Sequence, residues 1–191
     1  HTLKHLIGLG LAESEVEYLF QEQLSLLETA GPGHKLLAAF SYREKAHLCA
    51  EQIQQRLQQR VLPATFGELS RHLDADYIFA DHADLKSVMK HFPRADVIGI
   101  ITHLAPEALD RIARLLDGDT LGLVTRYEDA IPELTTEIRT ATSFSGQMIA
   151  ASMEERAEHL KQFVDKTDLL LYTPPCRRRL LGIVGDAVPH V

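Results

Sequence analysis

Apolar positions along this chain fall into two kinds of run. From residue 34 onward, short stretches that are apolar almost throughout alternate with stretches whose apolar residues recur every three or four positions. The short runs predict strands at 35–41 (KLLAAFS), 61–66 (VLPATF), 77–81 (YIFAD), 96–102 (DVIGIIT), 120–125 (TLGLVT), 144–149 (FSGQMI) and 168–173 (DLLLYT). The longer ones predict helices at 43–60, 67–73, 83–91, 105–116, 127–138 and 152–165. Strands with near-continuous apolar character, separated by helices, form parallel sheets covered on both faces. The fold class expected is therefore α/β, built of Rossmann-like parallel sheet units, either as one sheet or as two lobes split near residues 95–103. Residues 12–28 (AESEVEYLFQEQLSLLE) follow another pattern: Val16, Leu19, Phe20, Leu24 and Leu27 form one helical stripe, ended by Thr29-Ala30-Gly31-Pro32-Gly33. Residues 1–30 are accordingly predicted to be a helical lead-in, with the main domain at 31–191.

Composition narrows the picture. The 191 residues are 45% apolar, a globular balance. No apolar run approaches the ~20 residues of a membrane span, and HTLKHLIGLGLAESEVEY lacks the continuous apolar core of a signal peptide. No membrane association is expected. Acidic residues outnumber basic ones by 27 to 20, for a net charge of −7, which argues against direct nucleic-acid binding. The Gln-rich stretch 51–60 (EQIQQRLQQR) keeps helical spacing and reads as a solvated helix face. Two cysteines make no disulfide framework and show no zinc spacing, so a reducing, cytoplasmic setting is expected. Cys49 lies mid-helix beside Leu48 and Ile53, where packing is its role. Cys176 follows Pro175 at a helix start, a position that lowers a thiol pKa.

Candidate chemistry lies just past the strands, because open α/β sheets bind ligands beyond the carboxyl ends of their strands. The residues there are Ser41-Tyr42-Arg43, Phe66-Gly67, Asp81-His82, Thr102-His103, Thr125-Arg126-Tyr127 and Thr173-Pro174. They are small-hydroxyl-rich and cationic. No catalytic triad shows in them. GPGHK at 31–35 precedes a strand, whereas a phosphate loop follows one, and there is no GxGxxG. Ser41 with Glu44 reads as a capping box, or as a helix start that accepts an anion with help from Arg43. Thr173-Pro174 repeats that geometry, with Arg177 one turn into the next helix; Arg178 and Arg179 then face water or a neighbouring subunit. Asp81, His82 and His103 are ligand types for metals, but no fixed spacing joins the histidines, so neither a metal nor a cofactor is expected.

The ordered stretches GLGLAESEVEYLFQEQL, LPATFGELSRHLDADYIFADHADLKSVMKHFP, ADVIGIITHLAPEALDRIARL, GDTLGLVTRYED and DLLLYTPPCRRRL resemble, taken together, the C-terminal effector region of some bacterial GntR-type transcription regulators. The resemblance implies a periplasmic-binding-protein-like, two-lobed sensor. A small molecule would bind between the lobes of a homodimer, and closure would be transmitted to a winged helix-turn-helix domain. It also implies that residues 1–30 are the linker from that DNA-binding domain, which this chain lacks. Carried over by position, the ligand site would comprise Ser41, Tyr42, Arg43, Asp81, His82, Thr102, His103, Thr125, Arg126, Thr173 and Arg177. The pair Arg178-Arg179 is more basic than the family pattern.

Three functions follow as expectations. The first is a cytoplasmic, dimerising regulatory domain that senses an anionic metabolite, is not itself an enzyme and reaches DNA only through the missing domain. The second is an enzyme, a transferase or hydrolase on the same scaffold, with Asp81 or His82 as general base. The third is an assembly module joined through the helix at 12–28.

Overall fold

The computed structural model describes residues 33–184, and of Val184 the backbone alone. The expected lead-in at 1–30, with its helix at 12–28, lies outside the described residues. The chain is α/β with two parallel sheets. By internal contacts it divides into two compact units: residues 33–41 with 46–101, and residues 42–45 with those from 102 onward.

The first unit holds β1 (Leu36–Phe40), most of α1 (Arg43–Leu57), β2 (Val61–Thr65), β3 (Tyr77–Asp81), α2 (Leu85–His91) and β4 (Asp96–Ile100). Its strands are ordered β2-β1-β3-β4, all parallel, with Leu36 opposite both Val61 and Tyr77, and Tyr77 opposite Asp96. The central strand LLAAF is buried at every position, and alternation sorts its side chains onto two faces. Leu36, Ala38 and Phe40 pack with Ala46, Cys49, Ala50 and Leu57 of α1. Leu37 and Ala39 pack with Leu69, Val88 and Phe92 on the opposite face. Cys49 is thus a core residue, as its neighbours in sequence indicate.

The second unit holds α3 (Pro106–Ile112), β5 (Thr120–Thr125), α4 (Ile131–Ala141), β6 (Gln147–Ser152), α5 (Ala157–Val164), β7 (Leu169–Tyr172) and α6 (Arg177–Val184). Its strands run parallel in the order β6-β5-β7. Leu121 and Leu123 of β5 pack with Ile112 and with Ile138 of α4. Val124 packs on the other face with Leu160 and Val164 of α5 and Leu180 of α6. Gly122 is required by close approach: a Cβ there would collide with the Thr167 methyl and stand 3.3 Å from Phe163 Cε1. Among the described residues no helix is long and apolar enough to cross a membrane.

Several boundaries differ from expectation for local reasons. α1 stops at Leu57 rather than 60, because Gln58 adopts a left-handed φ of 53°. The strand expected at 144–149 lies at Gln147–Ser152, in register with Thr120–Thr125. The helix expected from 152 begins only at Ala157. Ser152 and Glu155 hold a turn between them: the Ser152 N–H donates to Glu155 Oε1 (3.2 Å) and the Glu154 N–H to Ser152 Oγ (3.3 Å). The helix expected at 67–73 is a 3₁₀ stretch, Phe66–Arg71, and the one at 105–116 ends at Ile112. The helix expected at 127–138 is a 3₁₀ turn, Glu128–Ala130, followed by α4.

Candidate functional site

In each unit the chain leaves two neighbouring strands toward opposite faces of the sheet. β1 leads into α1 on one face, while β3 leads into α2 on the other. β5 leads to α4 on one face, while β7 leads to α6 on the other. Such a divergence opens a crevice beyond the carboxyl ends of the two strands, the usual ligand position of doubly wound sheets. Six of the sequence-predicted residues lie at these two points: Asp81 ends β3, with Ser41 and His82 just past β1 and β3, and Thr125 ends β5, with Arg126 and Thr173 just past β5 and β7.

The β5/β7 crevice holds a carboxylate belonging to the chain itself. Glu44, in the short segment 42–45 that packs with the second unit, is only 1% exposed. The Arg126 N–H donates to both its oxygens, at 3.1 Å to Oε1 and 2.9 Å to Oε2. The Tyr127 N–H reaches Oε2 at 3.5 Å. The Thr173 hydroxyl donates to Oε1 and lies 3.2 Å from Cys176 Sγ. Thr125, fully buried, donates its hydroxyl to the Tyr127 carbonyl at 2.8 Å and so shapes the loop whose amides meet Glu44. Beside them Arg43 lies 4.5 Å above the Tyr127 ring and pairs through Nε with Asp129 Oδ2 at 3.1 Å. The Arg126 guanidinium lies 5.1 Å from the same ring.

Burial raises the Glu44 pKa above the ordinary carboxylate range, and the Thr173 hydroxyl, the two backbone donors and the Arg126 charge pull against that rise. Burial also pushes the Cys176 thiol up to about 11, with the Glu44 charge adding to the effect and the Thr173 hydrogen bond opposing it. The expectation of a lowered thiol pKa at the start of this helix is therefore overturned: Cys176 is 1% exposed, and desolvation outweighs the helix dipole.

Two further readings of the strand ends change. Ser41 and Glu44 form no capping box, since Ser41 is exposed and the Glu44 carboxylate turns to Arg126 and Thr173. The same spacing recurs at Thr65 and Glu68, and there the carboxylate does turn back, to the Thr65 N–H at 3.0 Å. Thr173 does stand at the start of a helical turn, but its side chain makes no cap.

The remaining predicted residues are placed as follows. At the β1/β3 crevice Asp81 and His82 are half-buried, and His82 Nδ1 is buried without a hydrogen-bond partner, beside Gly99. Tyr42 is buried at 6% exposure. Thr102 and His103 lie past the end of β4, half-buried and exposed respectively. Arg177, Arg178 and Arg179 open α6 with exposed side chains. Among the described residues no group of three or more His, Cys, Asp or Glu side chains is placed to hold a metal ion. A hollow of about 590 Å³ runs along α5 beside β6, lined by Gln147, Ile149, His159, Gln162 and Lys166 among others, none of them a residue named at the β5/β7 crevice.

Sequence reasoning missed Glu44 as a site residue. Its signal in sequence is indistinguishable from that of Glu68, and its partners stand 82 and 129 positions away.

Fold and site define an α/β protein with doubly wound parallel sheets and a strand-end crevice furnished for a carboxylate. No family model matches the sequence, and no curated protein matches it at a significant level.

Proposed function

We propose that this chain is the effector region of a bacterial GntR-type transcription regulator, a cytoplasmic, homodimeric module that senses a small anionic metabolite and reaches DNA through a helix-turn-helix domain outside this chain. The observation that carries the reading is the carboxylate at the β5/β7 crevice. Backbone amides of Arg126 and Tyr127, the Thr173 hydroxyl and the nearby Arg126 charge make a donor set matched to an organic acid, at the position where doubly wound sheets take their ligands. Within the first unit the strand ends at β1/β3 are polar too, with Ser41 and the unpartnered His82 Nδ1. In this reading Asp81 and His82 bind rather than catalyse, and binding shifts a conformational equilibrium only through its preference for one state.

The test is thermal stabilisation of the purified chain against a panel of metabolite carboxylates and phosphates. The expected result is a rise in Tm with one chemical class of acid, growing with ligand concentration. A panel that leaves Tm unmoved throughout defeats the reading.

A further inference from the structure

Glu44 is the one buried charged side chain in the described core, and it is an odd resident for a strand-end crevice. A charge without donors is costly to bury, and this one is held by donors that belong to another part of the sequence. The donors were not brought by Glu44. They are the loop amides after β5 and the hydroxyl after β7, which the sheet order alone puts side by side.

We infer that the β5/β7 crevice is a carboxylate-binding site whose occupant in this state is the chain's own Glu44, and that an external carboxylate takes the same donors when Glu44 leaves. The inference rests on the sensing reading above for its purpose, and adds to it the ligand class and a self-occupied resting state. The geometry favours a carboxylate over a phosphate. Three donors serve two oxygens, one from each side: the Thr173 hydroxyl and the Arg126 N–H at Oε1, the Arg126 and Tyr127 N–H groups at Oε2. Further oxygens of a phosphate would find no donor among these, and its second charge would face the buried Cys176 thiol and the apolar cluster of Val124, Leu170 and Leu180. Arg126 is the cation beside the carboxylate, while Arg43 is engaged by Asp129 and feels Glu154 as well.

The experiment uses the full chain carrying Glu44→Ala, with sodium acetate as probe and sodium chloride and inorganic phosphate as controls at matched ionic strength. The alanine leaves the donors in place and removes the resident carboxylate. The variant is expected to melt several degrees below wild type and to recover Tm steadily with rising acetate, while wild type responds to acetate no more than to chloride. Adding Thr173→Val to Glu44→Ala is expected to weaken the recovery, because acetate loses one donor. If Glu44→Ala does not fold unaided, the readout becomes the yield of folded protein on refolding in acetate against chloride. No acetate-specific recovery, an equal response from wild type, or equal recovery with phosphate overturns the inference. Failure here and failure of the sensing reading are separable. Acetate rescue with an unresponsive metabolite panel leaves the site standing without a sensor. A metabolite that stabilises wild type, with no acetate rescue of Glu44→Ala, places the ligand elsewhere.

Discussion

Replacing Thr173 with valine changes one hydroxyl for one methyl at nearly constant volume, at a residue 9% exposed. Its hydroxyl donates to the buried Glu44 carboxylate. A hydrogen bond to a charged group contributes about 1.5–3 kcal/mol. Two features bring the expected loss to the lower part of that range. Glu44 Oε1 keeps the Arg126 N–H at 3.1 Å, so the oxygen is not orphaned. The new methyl is buried, and an added buried carbon returns up to about 0.8 kcal/mol. The net cost of Thr173→Val is therefore about 1–2 kcal/mol at neutral pH. Urea unfolding followed by far-UV circular dichroism measures it as a lower midpoint with unchanged slope. The same substitution in a Glu44→Gln background isolates the pairing, because the hydroxyl then meets a neutral amide and the loss shrinks, leaving a coupling of about 0.5–1 kcal/mol. A loss below about 0.3 kcal/mol, or an identical loss in both backgrounds, falls within the scatter of independent sites and refutes the claim that this hydroxyl holds the carboxylate.

Two other outcomes follow from the same cluster. A raised folded-state pKa means that Glu44 contributes stability fully present below the ordinary carboxylate pKa and lost as pH rises through its higher folded value; the stability gap between wild type and Glu44→Gln, from urea titrations across mildly acidic to neutral pH, should narrow as pH rises, and a gap that widens would mean that the donors outweigh desolvation. With its thiol at about 11 and 1% exposed, Cys176 should stay unmodified by maleimide reagents at neutral pH in the folded chain and react once urea unfolds it, whereas rapid labelling of the native protein at Cys176 would contradict the burial.

What could be read from sequence was whatever repeats locally. LLAAF and TLGLVT announce strands buried on both faces because an apolar string of that length has no polar side to offer solvent. The polar residues after each strand were legible for the same reason, since the switch from apolar to hydroxyl and cation is abrupt. Thr125-Arg126-Tyr127 and Thr173 were legible as polar strand ends, but not that Glu44 is what the Arg126 amide and the Thr173 hydroxyl hold. What escaped was anything decided across long separations or by fine local competition. Two Ser/Thr-x-x-Glu spacings, Ser41…Glu44 and Thr65…Glu68, look alike, yet one carboxylate closes its own turn and the other crosses 82 positions to Arg126. The onset of α5 was misplaced because Ser152 and Glu155 bind the backbone of their own turn. Gly122 can be seen as a glycine inside a strand, but not that Thr167 and Phe163 press against it.

A tethered occupant changes what a ligand must do. While Glu44 fills the crevice, an external acid sees only the fraction of molecules in which the side chain has left, and its apparent affinity falls by that fraction. If the open state were about 1% populated, an intrinsic micromolar ligand would bind with a Kd on the order of 0.1 mM. An acid that offers nothing beyond its carboxylate would exchange one set of hydrogen bonds for an equivalent set and gain little, because Glu44 already makes those bonds at no cost in association entropy. Selectivity then lies in whatever the rest of the ligand touches, and simple acids such as acetate are excluded from the intact chain without any steric barrier. The same reasoning ties occupancy to structure: the first turn of α1 carries Glu44, with Arg43 beside it on Asp129 and Tyr127, so an acid that displaces the carboxylate also removes the main hydrogen-bonded anchor of that turn in the second unit. A ligand-dependent loss of protection at the amides of residues 42–45, read by hydrogen exchange, is the mark by which displacement differs from binding at any site that leaves Glu44 in place.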